Sequence, residues 1–182
     1  MLARNQTLKL ISYCLILTNS IFAQGISPKF PFIQNNVCPF EGCRYGKWTA
    51  ESPLIAYTTE GDSSKIAFKI AKNEQFTAIR GNVHTIKPGK LLITETSKKF
   101  KKGCIVYVLS YQGEGSYYLL HKGKIYNYYD FDAPCEFISK PIFVWWVLIQ
   151  NKAGKCGWLM LKNITEDGFK TKERINGSDA LS

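Results

Sequence analysis

Hydrophobic and polar positions alternate along this chain in short runs, and each run ends in turn-forming residues. Runs at 54–58, 65–70 and 75–80 read as the first three strands, parted by Gly61-Asp62-Ser63-Ser64 and Lys72-Asn73-Glu74. Strands at 83–86 and 90–94 follow across Lys87-Pro88-Gly89. The run at 104–110 is rich in Ile, Val and Tyr, which suit a pleated, half-buried surface. Gly113-Glu114-Gly115 and Lys122-Gly123 bound strands at 116–121 and 124–129. After an irregular stretch at 130–141, a strand at 142–150 turns through Asn151-Lys152-Ala153-Gly154 and returns at 156–161. No apolar stripe recurs at helical spacing, so no long helix is expected. Many short strands at near-regular spacing predict an all-β antiparallel barrel or sandwich.

The N-terminus follows a different pattern. Arg4 and Lys9 form a basic segment, residues 10–17 an apolar one, and Ser20-Ile21-Phe22-Ala23 ends in a small residue. That layout predicts a secretory signal peptide at 1–23 and an exported protein, periplasmic or extracellular. A lipoprotein signal using Cys14 fits less well, because Cys14 lies inside the apolar segment behind the bulky Tyr13. Residues 24–43 read as a linker, 44–165 as the β domain, and 166–182 as a flexible polar tail.

Composition narrows the classes. Of the 182 residues, 45% are hydrophobic and 21% charged, which excludes a disordered chain. The longest apolar run, at 141–149, is about half the roughly 20 residues that a membrane-spanning helix needs. A formal charge of +10 suits an anionic partner without selecting one. With no recognition helix and an export signal, nucleic acid is not the expected partner. Lys98-Lys99-Phe100-Lys101-Lys102 reads first as a solvated turn.

Export also changes the meaning of the cysteines. Without Cys14, the chain retains Cys38, Cys43, Cys104, Cys135 and Cys156. In an oxidising compartment these form at most two bridges and leave at least one thiol, with the pairing open. Cys38 and Cys43 lack a second close Cys or His pair, so no metal site is expected.

Two stretches resemble the bacterial SH3-like (SH3b) family of exported binding domains. The first runs from Gly46-Lys47-Trp48-Thr49-Ala50 through Pro53-Leu54-Ile55-Ala56-Tyr57 to Lys72-Asn73-Glu74-Gln75-Phe76, with Asn73 where the family usually has Gly. The second is Trp145-Trp146-Val147-Leu148-Ile149-Gln150, a turn, and Cys156-Gly157-Trp158-Leu159. The resemblance implies an SH3-like small barrel that recognises peptidoglycan or a peptide. Residues 81–144 exceed a minimal barrel. They imply either one barrel elaborated by a β-insertion or a doubled barrel.

Candidate chemistry is sparse. Gly103-Cys104-Ile105 weakly resembles the nucleophile stretch of L,D-transpeptidases, but that family's His before and Arg after the Cys are absent. A nucleophilic Cys needs a base in reach, and His84 and His121, the only histidines, sit in no recognisable motif. Glu114, Asp130 and Asp132 read as turn and loop residues rather than a glycosidase pair. No cofactor motif is present.

Aromatic residues carry the strongest signal. Successive strand residues face opposite ways, so Tyr117 and Tyr118, Tyr128 and Tyr129, or Trp145 and Trp146 cannot both enter one core. One of each pair should line a groove, reach a second sheet or lie on the surface. The expected ligand-binding set is Trp48, Tyr57, Tyr118, Tyr128, Trp145 and Trp146, with Trp48 and Tyr57 foremost and Trp158 assigned to the core. The expected function is non-catalytic binding of an envelope peptide, glycan or protein. A cysteine-dependent wall enzyme using Cys104, or a secreted inhibitor or virulence-type factor, are the alternatives.

Overall fold

The computed structural model describes residues 29–40, 42–113, 116–127, 131–162, 164–165, 168–169 and 175–176. The signal-peptide expectation at 1–23 lies outside them, as does Tyr128. In chain order the strands are β1 (Phe32–Asn35), β2 (Gly46–Ala50), β3 (Leu54–Thr59), β4 (Asp62–Ile70), β5 (Gln75–Lys87), β6 (Gly89–Ile93), β7 (Ile105–Gly113) and β8 (Ser116–His121). They continue as β9 (Lys124–Asn127), β10 (Cys135–Ser139), β11 (Ile142–Gln150), β12 (Cys156–Leu161), β13 (Ile164–Thr165), β14 (Gly168–Phe169) and β15 (Ile175–Asn176). No described residue is helical, and no helix is long and apolar enough to cross a membrane.

Two antiparallel sheets dominate. The first has the order β15-β2-β5-β11-β12-β3-β4, with β1 also pairing to β5. The second has the order β10-β6-β7-β8-β9. Among the described residues β15 and β4 do not pair, so the first sheet is an open path rather than a closed barrel. The second sheet occupies the whole connection between β5 and β11, which pair with each other through Ile142 and Lys87 at its base.

Alternation explains the two cores. Along β11, Phe143, Trp145, Val147 and Ile149 turn inward and meet Trp48, Phe76, Leu159, Leu161, Leu54 and Ile70. Leu91, Ile93, Val106, Val108, Leu119 and Phe100 form the second core. Tyr111 joins them: its ring lies 5.6 Å from Phe143 and 5.4 Å from Tyr117, which packs on both cores. Two buried polar contacts cross the same junction. The Thr85 hydroxyl donates to Leu109 O at 3.0 Å, and the Ser110 hydroxyl donates to Gln34 Oε1 at 2.9 Å.

Several elements differ from the sequence expectation. The break expected between 80 and 83 is absent, and β5 runs through it. Gly81 is there for space, not for a turn: a Cβ on it would collide with the Trp145 indole. Residues 32–43, expected as linker, contribute β1 and a Cys38–Cys43 disulfide. Phe40 from that segment packs edge-on against Trp145 at 5.7 Å. Within the polar tail, Ile175 is buried and pairs with Ala50. The disulfide is consistent with an oxidising compartment. Cys104, Cys135 and Cys156 are free thiols.

Gly89 marks the crossing between the sheets. A Cβ there would lie 2.7 Å from Ser139 O and 2.8 Å from Pro141 N. The entering and leaving strands therefore touch backbone to backbone.

Candidate functional site

The outward face of the first sheet brings together side chains from distant parts of the sequence. Directly opposed residues of paired strands share a face. Lys47, Thr77 and Gln150 are successive cross-strand partners, as are Arg80, Leu148, Trp158 and Tyr57. Asn82, Trp146 and Met160 form the next row, and His84 with Val144 the one after. The bulge between Leu148 and Ile149 absorbs Ile79, which places Thr77, Arg80, Asn82 and His84 on one side of β5.

At the centre of this face the Arg80 guanidinium lies 5.1 Å from the Trp158 ring centroid. Trp158 is half-buried and Arg80 exposed. A cation over an indole face is attracted by the ring quadrupole, so Arg80 holds the Trp158 ring in place. Beside it, Tyr57 meets Trp146 edge-on at 6.0 Å, and Trp146 lies 6.2 Å from the His84 ring.

A polar cluster anchors the aromatic row. Glu60, in the β3–β4 turn, accepts hydrogen bonds on both carboxylate oxygens from Asn82 Nδ2, at 2.9 and 2.8 Å. Its Oε1 also lies 2.7 Å from His84 Nε2, which must carry the hydrogen, because a carboxylate only accepts. Asn82 Oδ1 in turn accepts from the Asn36 N–H at 3.0 Å. Asn82 and His84 are nearly inaccessible, at 2% and 6%, so their polar atoms depend on these partners. The arrangement orients side chains. Among the described residues no Ser, Thr or Cys side chain hydrogen-bonds to His84.

The four expected site residues on the first sheet, Trp48, Tyr57, Trp145 and Trp146, are divided between its two sides. Tyr57 and Trp146 are brought together on the outward face. Trp146 is buried under its neighbours and supports the row from below. Trp48 is a correction: it is fully buried, its indole N–H donates to Arg44 O at 3.1 Å, and it packs against Phe76 at 6.0 Å and Trp145 at 5.7 Å. Its place opposite Phe76 in the β2–β5 ladder turns it inward. Trp145 is core for the same reason. Tyr118, on β8 of the second sheet, is half-buried and packs against the first core. Trp158, expected in the core, is half-buried on the outward face. The alternation of Gly157, Leu159 and Leu161 inward already contained that signal, whereas nothing local marked Arg80, Glu60, Asn82 or His84.

Comparison with family models, with curated proteins and with solved structures returns no significant match.

Other reactive groups lie elsewhere. The Cys104 carbonyl accepts from Ile93 N–H at 3.0 Å, and its side chain packs on the second core. His121 donates from Nδ1 to Ile105 O at 3.3 Å and packs against Phe100. Burial pushes the Cys135 thiol above its ordinary range. Burial also raises the Tyr45 phenol, against smaller opposing effects from the Trp145 side chain and the Gly81 backbone. Among the described residues no three His, Cys, Asp or Glu side chains gather as a metal site.

Proposed function

We propose that this protein is an exported, non-catalytic binding module of SH3-like type that recognises an extended cell-envelope glycan or peptide on the outward face of its first sheet. The observation that carries the reading is the Arg80–Trp158 stack at 5.1 Å, half-exposed and continued by Tyr57. A flat apolar ring with a polar rim suits a sugar ring or a peptide plane, and immobilising the ring beforehand lowers the entropy cost of binding. Thr77 and Gln150 beyond the stack supply hydroxyl and amide partners. Export rests on the N-terminal pattern together with the disulfide.

Co-sedimentation with isolated cell-wall sacculi tests the reading. Trp158→Ala combined with Tyr57→Ala should remove the protein from the pellet while leaving it folded. Retained binding by the folded double variant would overturn it.

A further inference from the structure

Past Arg80, the same face ends in a cleft of about 140 Å³. Lys47, Gln75, Phe76, Thr77, Gln150, Asn151 and Lys152 line it. Lys47, Thr77 and Gln150 are direct cross-strand partners, so the sheet itself sets their spacing. Lys152 comes from the β11–β12 turn, and that turn is internally braced. Asn151 Oδ1 accepts from the N–H groups of Ala153 at 3.1 Å and Lys155 at 2.9 Å, and Gln150 Nε2 donates to Gly154 O at 3.1 Å. No acidic side chain lines the cleft. Among the described residues neither lysine has a carboxylate partner within ion-pair distance.

We propose that this cleft is a subsite for a tetrahedral oxyanion, a phosphate or sulfate ester borne by the glycan. Two ammonium groups act as point charges without a preferred plane, and the Thr77 hydroxyl with the Gln75 and Asn151 amide groups adds neutral hydrogen bonds. A planar carboxylate is best matched by the paired N–H groups of an arginine, and no arginine lines the cleft. The volume is sufficient for one small anionic group with water. The inference rests on the proposed reading of the face, because Thr77 lies three positions along β5 from Arg80, about 10 Å at strand rise. A polymer lying on Trp158 would therefore present its substituent to the cleft.

The test measures affinity of the full chain for dextran sulfate, dextran phosphate and carboxymethyl dextran of matched charge density. The sulfate and phosphate esters should bind at least tenfold more tightly than the carboxylate polymer, and the two ester arms show which oxyanion is preferred. Lys47→Ala with Lys152→Ala should lower affinity for the esters at least tenfold. Lys65→Ala with Lys69→Ala, which removes equal charge from β4, should change it less than twofold. Equal losses from both pairs would show diffuse attraction to a basic protein and overturn the subsite, as would equal binding of carboxymethyl dextran. Sacculus binding by Trp158→Ala is the separate arm. Survival there, with ester binding still lost in the Lys47/Lys152 variant, supports the subsite and overturns the platform.

Discussion

Glu60 Oε1 and His84 Nε2 are 2.7 Å apart, although 24 residues separate them in the chain. This contact pins the tip of the β3–β4 hairpin to β5, a strand that is not its neighbour in the sheet. Tyr57 and Trp146 meet beside it, so the polar contact and the aromatic row are one structural unit. Glu60→Ala leaves Asn82 Nδ2 and His84 Nε2 buried without their acceptor. The expected cost is about 1–3 kcal/mol, or roughly 2–4 °C in Tm for each kcal/mol in a chain of this size. A melt within 1 °C of the parent would contradict the anchoring role.

The two tryptophans that exchange places relative to the sequence expectation should differ sharply. Trp48→Ala empties a fully buried position and should cost about 3–5 kcal/mol, whereas Trp158→Ala should cost clearly less, because the ring is only half-buried. Urea midpoints of the two variants measure this, and a reversed order would move the platform to the other side of the sheet.

Gly89→Ala places a methyl group 2.7 Å from the Ser139 carbonyl oxygen. Backbone must shift, and the expected loss is about 1–3 kcal/mol. Hydrogen exchange should report the loss first in β6 and β10, the strands on either side of the contact. Unchanged protection there would show that the crossing has slack.

The raised Tyr45 phenol gives a signed pH dependence. The folded protein holds this proton more tightly than the unfolded chain, so the contribution is fully present below about pH 10 and falls away as pH rises through the higher folded value. Alkaline titration of stability should show this decline, and Tyr45→Phe should flatten it. An identical alkaline limb in the variant would remove Tyr45 as the cause.

The thiols should label in a fixed order. Cys156 is exposed and should react first. Cys135, half-buried and with its thiol pushed up, should react last. Cys38 and Cys43 should react only after reduction. Cys104 reacting far ahead of Cys156 would point to an activated nucleophile and revive the enzymatic alternative.

Strand positions were legible because alternation is a local property, and so was the turn at Asn73, whose φ of 66° is the positive value expected of Asn standing for Gly. The errors have specific physical causes. Gly81 carries a turn residue's signature but serves packing against Trp145, so one long strand reads as two. Phe32–Asn35 lies among prolines and asparagines and gains its order from pairing with β5 and from the Gln34–Ser110 contact, both distant in sequence. Family likeness points Trp48 toward a groove and Trp158 toward the core, while strand parity puts Trp48 inward and Trp158 outward. The Glu60, Asn82 and His84 cluster depends on a hairpin folding across two strands, and no window of sequence contains all three.

The crossing at Gly89 has a topological consequence. Lys87 and Ile142 are cross-strand partners, so the chain leaves the first sheet and re-enters it at one point. A two-residue Asn-Gly turn between them would close β5 directly onto β11. The first core would then lose Tyr111, Tyr117 and Tyr118 from its edge, and Gln34 and Thr85 would lose their partners across the junction. Every residue of the Arg80–Trp158 face and of the lysine cleft would remain. The Arg80–Trp158 face and the second sheet therefore share no strand, and the ladder between β5 and β11 does not depend on the residues that connect them.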